Sequence, residues 1–281
     1  MTKKRPGKPT LVGVPFDAQS SYLRGAAEAP AKIRRALKSG ASNHWTELGV
    51  DLAGLGAVED LGDLSFQDGD AFEIIESTIA GVLDENRRPV FLGGDHSITY
   101  PIVKAFAKSY PNLSIFHFDA HPDLYDEFEG NRLSHACPFA RIMESGLAER
   151  LVQVGIRTAT EHQRQQAHRF GVELIEMRDL PAYRHLKAAG PTYLSFDLDV
   201  LDPAFAPGVS HREPGGMSVR EAIAHLHAIA AEMVGADLVE YNPVRDLDGM
   251  TATVAAKILK EILGKMLVEG RDLRVPGPPR E

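Results

Sequence analysis

Leu113-Ser-Ile-Phe-His-Phe-Asp-Ala-His-Pro-Asp123 is the stretch on which the reading of this chain turns. Its first half, 113–118, is a short apolar run rich in aromatic residues, as expected of a strand buried on both faces of a parallel sheet. The run stops at Asp119. His121 and Asp123 follow at alternate positions, so an extended segment would point all three side chains to one side.

The same grammar repeats outward from this stretch. Residues 10–14 run into Pro15-Phe16-Asp17, 88–92 into Gly93-Gly94-Asp95-His96, and 151–154 into Gly155-Ile156-Arg157. Residues 193–196 run into Asp197, and 237–240 close the series. Between them, amphipathic stretches at 30–37, 70–86, 101–108, 161–170, 219–233 and 251–268 read as helices. Pro30 and Pro101 suit first-turn positions, where a missing N–H costs nothing. Ser218, with Glu221 three residues on, resembles a capping box. This alternation predicts a single α/β domain over 1–281 with a mostly parallel central sheet. Residues 1–9 and 272–281 read as flexible ends.

Composition narrows the field. A chain of 281 residues with 43% hydrophobic and 25% charged residues is ordinary for a globular protein. With 31 basic and 39 acidic residues it carries a net charge of -8, which argues against nucleic acid or an anionic membrane as partner. Cys137 is the only cysteine, so no intrachain disulfide is possible and a reducing compartment suits the chain. No apolar run reaches the roughly 20 residues that span a bilayer. The first residues lack a secretory signal, and a cytoplasmic location is the expectation.

The chemistry gathers at strand ends, where open α/β sheets bind ligands. Asp119, His121 and Asp123 end one run, Asp197 and Asp199 another, and His96 a third, after two glycines that allow a sharp turn. Alone, each piece has a bland reading: loop polarity, a helix cap, a satisfied polar histidine. Together they bring carboxylates into one place, and unpaired buried charges cost several kcal/mol each. A pair of divalent cations resolves that conflict and suits the activation of water. Oxygen-rich donors with a minority of imidazole favour Mn, and no thiolate belongs to the pattern.

On these residues the chain resembles the ureohydrolases, the family of arginase, agmatinase and related guanidino hydrolases. The matching segments are Gly93-Gly-Asp-His96, Asp119-Ala-His-Pro-Asp123, Ser134-His135, Ser195-Phe-Asp-Leu-Asp-Val-Leu-Asp-Pro203, Ala206-Pro-Gly208 and Glu240-Tyr-Asn-Pro243 with Asp246. Gly13-Val-Pro-Phe-Asp17 with Gly25 and Pro30 also matches, so the resemblance spans nearly the whole chain in order. It implies a three-layer α/β/α fold of the arginase–deacetylase type, assembly as homotrimers or homohexamers, and two Mn ions per chain. His96, Asp119, Asp123 and Asp197 would hold the first ion. Asp119, His121, Asp197 and Asp199 would hold the second, with Asp119 and Asp197 bridging. Glu240 would accept two N–H bonds from a guanidinium, and His135 would pass a proton to the leaving amine.

The departures concern substrate. His211 and Arg212, in Val209-Ser-His-Arg-Glu213, stand where the family often has a small threonine- and glycine-rich loop. Ala136-Cys137 replaces the usual glycine after His135, and Gly130-Asn131-Arg132-Leu133-Ser134-His135 lacks the arginase-type Ser-Gly-Asn-x-His loop, so the resemblance reads closer to agmatinase. His211 or Arg212 is therefore expected to meet an acidic or carbonyl group of the substrate. The expected activity is hydrolysis of a C–N bond in a linear guanidino or amidine compound, agmatine-like or a guanidino acid, to urea and an amine. The alternatives are an N-formimidoylglutamate hydrolase releasing formamide, a deacetylase working with one Zn on the related fold, and a family member that binds metal without turnover.

Overall fold

Side-chain alternation along the strands decides how the sheet is covered. Leu11, Val90, Phe116, Val152 and Leu194 belong to one buried cluster, while their neighbours Val12, Phe91, Ile115, Leu151 and Tyr193 belong to another. Successive strand residues point to opposite faces, so both faces are apolar and both must be covered. The computed structural model, which describes residues 7–54, 56–67, 69–180 and 186–268, shows how.

The strands are β1 (Lys8–Gly13), β2 (Glu59–Asp63), β3 (Arg87–Leu92), β4 (Ser114–Phe118), β5 (Arg150–Ile156), β6 (Glu173–Glu176), β7 (Lys187–Asp197) and β8 (Ala230–Val239). They form one eight-stranded sheet in the order β2-β1-β3-β8-β7-β4-β5-β6. Every pairing in it is parallel. Onto one face α1 (Ala29–Leu37) packs Ile33, α6 (Val219–Ala228) packs Ile223 and Leu226, and α7 (Met250–Val268) packs Leu259 and Ile262. Onto the other, α2 (Ala71–Asp84) packs Ile75 and Ile79, and α3 (Thr99–Ser109) packs Ile102 and Phe106. Phe139 of α4 (Pro138–Glu144) and Ala167 of α5 (Glu161–Phe170) complete that layer. The result is the expected three-layer α/β/α arrangement. Each large apolar side chain so buried contributes about 1.5–3 kcal/mol.

All six expected strands and six expected helices are present, with three differences. The helix expected over 219–233 ends at Ala228, and Ala230 already begins β8. The edge strands β2 and β6 and the short helix α4 are additional. β1 begins at Lys8, so a loose start can extend only to residue 7. The expected loose end at 272–281 lies outside the described residues. The capping box at Ser218 forms as expected, Ser218 Oγ accepting from the Glu221 N–H and Glu221 from the Ser218 N–H.

Strand order places the site. The connection from β3 to β4 jumps across two sheet positions that β7 and β8 later fill. The carboxyl ends of β3, β8, β7 and β4 therefore stand side by side at the point where the winding changes direction, the usual place for a ligand crevice.

Candidate active site

Each of those four strands delivers its side chains at or shortly past its last residue. His96 opens a single 3₁₀ turn (His96–Ile98) beyond β3, capped by Asp95, whose Oδ1 accepts from the Ser97 N–H. The approach is close: a Cβ on Gly94 would overlap the Phe16 carbonyl, so glycine is required there. Asp119 follows β4, Asp197 ends β7, and Glu240 follows β8 at φ 62.

Asp119, His121 and Asp123 do converge, but not by strand alternation. Asp119 Oδ1 accepts the His121 N–H at 2.6 Å, and Asp123 sits at φ 48, so a tight turn gathers them. Asp199 likewise lies in a 3₁₀ turn (Leu198–Val200), its N–H donated to Asp197 Oδ1 at 2.8 Å. The Ala120 N–H donates to Asp199 Oδ1 at 3.1 Å and ties the two segments together. Non-glycine residues at positive φ carry strain that surrounding structure must offset, and here Asp123 and Glu240 both face the crevice.

The electrostatics of this cluster call for positive charge. His96 is fully buried, and its Nδ1 lies 3.2 Å from Asp119 Oδ2, 3.1 Å from Asp123 Oδ2 and 3.1 Å from Asp197 Oδ2. The opposite nitrogen, Nε2, lies 2.9 Å from Ser195 Oγ, and that hydroxyl donates its only hydrogen to Asp237 Oδ1 at 2.7 Å. Ser195 must therefore accept from Nε2–H, which leaves neutral His96 with a bare lone pair at Nδ1. That atom is buried without a hydrogen-bond partner. Three carboxylate oxygens around Nδ1 call for positive charge there. Burial opposes it, yet Asp119, Asp123 and Asp197 raise the His96 pKa well above its ordinary value. A divalent cation between them would supply that charge in place of a proton. Burial, then the charges of Asp199 and Asp119, push the Asp197 carboxyl well above its ordinary range, and Asp199 is raised to about 6. His121 Nδ1 closes the other side, 2.9 Å from Asp199 Oδ2 and 3.4 Å from Asp119 Oδ1. The donor set, hard oxygens with imidazole, fits divalent cations of the Mn type.

Beside the cluster stands an ion pair. His135 Nδ1 is 2.9 Å from Glu240 Oε1, and its Nε2 is 2.8 Å from Ser21 Oγ. Burial pulls the imidazole down, but the Glu240 charge and hydrogen bond outweigh it and raise His135 to about 9. Burial would likewise raise Glu240, yet His135 and the His96 N–H, 2.8 Å away, hold it ionised and below the usual range. The crevice between pair and cluster has a volume of about 160 Å³, with Tyr125, Phe128, Gln163 and His211 among its walls.

His211 thus belongs to the crevice, its ring centroid 5.3 Å from that of His135 and 5.9 Å from that of His121. Arg212 does not line it. Its guanidinium turns back to the carbonyls of Pro207, at 2.8 Å, and Arg245, at 3.1 Å, which braces the loop. Sequence reasoning missed His117, Gln153, Ser195 and Asp237, which stand behind the front residues. His117 and Gln153 look like filler in buried strands, and only their pairing across β4 and β5 exposes a polar chain.

Comparison with known proteins agrees with this geometry. The model of the arginase family matches residues 8–264. The chain belongs to the arginase family. Among its relatives, arginase 1, mitochondrial, of Arabidopsis thaliana is 48% identical, over 92% of this chain and 80% of that protein. The agmatinase of Bacillus subtilis (strain 168) is 36% identical, over 90% of each. The solved arginase from Medicago truncatula superposes with a TM-score of 0.89 at 45% identity, covering 93% of this chain and 88% of that one. As an arginase-family member the chain is a ureohydrolase, a hydrolase of C–N bonds in small guanidino compounds. With the family shown, the one-zinc deacetylase reading has no observation in its favour. Among the described residues, no helix is long and apolar enough to cross a membrane.

Proposed function

We propose that this arginase-family chain is a binuclear, Mn-dependent ureohydrolase of a guanidino acid, with arginine ahead of agmatine. The observation that carries the metal reading is the buried, unpartnered His96 Nδ1 facing oxygens of Asp119, Asp123 and Asp197. His96, Asp119, Asp123 and Asp197 would hold one ion, and Asp119, His121, Asp197 and Asp199 the other. When bound, such a pair supplies Lewis acidity and activates water at neutral pH. The ranking of arginine first rests on the names of the relatives at 48% and 36% identity.

The protein's own side chains supply the rest. The ionised Glu240, whose Oε1 is engaged by the His96 N–H and His135, keeps Oε2 to accept an N–H bond from a guanidinium, which would hold the electrophilic carbon beside the carboxylate cluster. His135 holds a proton on each nitrogen at neutral pH, because Glu240 keeps it charged. Nε2, which donates to Ser21 Oγ at 2.8 Å and is not engaged by Glu240, is the nitrogen that can pass its proton, directly or through that hydroxyl, to the departing amine. Tyr125 and Phe128 wall the crevice with apolar surface, which strengthens the Glu240–guanidinium pair by excluding water. His211 offers a neutral polar contact to the far end of the substrate: burial, then the charge of His135, lower its pKa, and its Nε2 is buried without a partner.

We further propose assembly as a homotrimer or homohexamer and, given one cysteine and no intrachain disulfide, a cytoplasmic location. The test is product release from Mn-loaded protein with arginine, agmatine, guanidinobutyrate and formimidoylglutamate. Urea from arginine at the highest kcat/KM supports the proposal. Formamide from formimidoylglutamate as the main product, or silence across all four, overturns it.

A further inference from the structure

A third buried imidazole lies within ligand distance of Asp119 and His96, and the metal reading above leaves it without a task. We infer that His117, locked by Gln153, is a positioning residue that orients Asp119 and donates no lone pair to a metal. This rests on the metal site proposed above and adds a device to it.

The geometry fixes the protons. Gln153 Nε2 lies 2.6 Å from the Pro122 carbonyl oxygen and 2.9 Å from His117 Nδ1. A carbonyl can only accept, so the amide must present its NH₂ there. The same NH₂ then faces Nδ1, which must accept. A ring that accepts at Nδ1 carries its hydrogen at Nε2. Nε2 stands 2.7 Å from Asp119 Oδ2 and donates to it. No nitrogen of His117 retains a free lone pair.

The chain Gln153–His117–Asp119 therefore grips one oxygen of Asp119, while the His121 N–H grips the other. Through the Pro122 carbonyl the same glutamine also holds the turn between His121 and Asp123. One buried side chain thus fixes the Asp119 carboxylate and the turn that carries His121 and Asp123. Phe139, stacked on His117 at 3.9 Å between centroids, keeps the ring in plane. Partners behind metal ligands set their orientation, and losing one typically weakens metal binding about 10–100-fold.

The test takes the full chain in wild-type, His117→Phe, Gln153→Leu and doubly substituted forms, with circular dichroism to confirm folding. Phenylalanine keeps the stacking on Phe139 and removes the donor. Titration with Mn²⁺, read by the electron paramagnetic resonance of the free ion, gives stoichiometry and affinity. The expected result is unchanged stoichiometry with about 10–100-fold weaker binding in each single variant, and little further loss in the double one. One ion fewer per chain in His117→Phe, with Gln153→Leu unaffected, would make His117 a ligand and overturn the inference. Unchanged affinity in both would reduce the pair to packing and overturn it too. ¹⁵N-histidine NMR of the metal-free wild type is independent of metal binding: an Nε2–H tautomer of His117 supports the inference, and an Nδ1–H tautomer refutes it. If wild type binds no Mn²⁺, the metal reading fails, while the tautomer still decides the hydrogen-bond chain. Should His117→Phe not fold, Gln153→Leu and the tautomer carry the decision.

Discussion

At the floor of the crevice Asp119, Asp197 and Asp199 are buried, and each accepts a backbone N–H from the opposing or following residues. At its mouth, Tyr22 is 68% exposed, with its ring centroid 5.6 Å from that of His211, whose Nε2 has no partner. The floor is over-determined: each carboxylate is aimed by the chain before any ligand arrives. The mouth is loosely specified. On the proposed function, the reaction is built into the first region and the choice of molecule is left to the second.

Substitutions at the two ends should therefore fail differently. Asp197→Asn attacks the floor. It removes a charge from both proposed ion sites, and a metal contributes several kcal/mol to the reaction, so kcat/KM should fall by roughly 10³-fold for every substrate. Metal analysis would show the loss of bound ion alongside the loss of rate.

Glu240→Gln lies between the two regions. A hydrogen bond to a charged group contributes about 1.5–3 kcal/mol, so kcat/KM should fall by roughly 10–100-fold with both ions retained. The same change removes the charge that raises His135, whose pKa should move down from about 9. In metal-free wild type that raised value has a sign in stability. The pair's contribution is complete below about pH 6.5 and fades as the pH rises through about 9. Glu240→Gln should flatten that slope in thermal melts.

His211→Thr probes the mouth. The ratio of arginine to agmatine turnover should shift by about tenfold, the size of one neutral hydrogen bond, while metal content stays the same. An unchanged ratio would remove His211 from substrate choice. Arg212→Ala should do least: its bonds run to the carbonyls of Pro207 and Arg245, so the substrate ranking holds. Only a stability loss of about 1 kcal/mol is expected, read as a lower denaturation midpoint.

The same contrast governs what the sequence revealed. The central strands are continuous apolar runs because helices cover both faces, and that pattern is local and legible. The edge strand β2 is Glu-Asp-Leu-Gly-Asp and largely exposed, so it carries no such signal. β6, Glu-Leu-Ile-Glu with a glutamate at each end, is little better. The helix ending at Ala228 was drawn too long because Ile229, Met233 and Val234 continue an apolar pattern with no glycine or proline between them. Those residues turn out to lead into a buried strand.

The front residues of the site were legible because their types and spacing are unusual at strand ends. His117, Gln153, Ser195 and Asp237 were not, since a polar residue inside a strand shows its partner only when the register is known. Arg212 failed in the opposite sense. An arginine beside a substrate loop reads as a contact, and only coordinates show it folded back onto that loop.

The most direct measurement titrates metal-free protein with Mn²⁺ while following bound ion and urea release from arginine together. The account predicts activity that rises to its maximum as the second ion per chain binds, disappears on chelation and returns when Mn²⁺ is restored. Full activity at one ion per chain, or no urea with both ions bound, would contradict it.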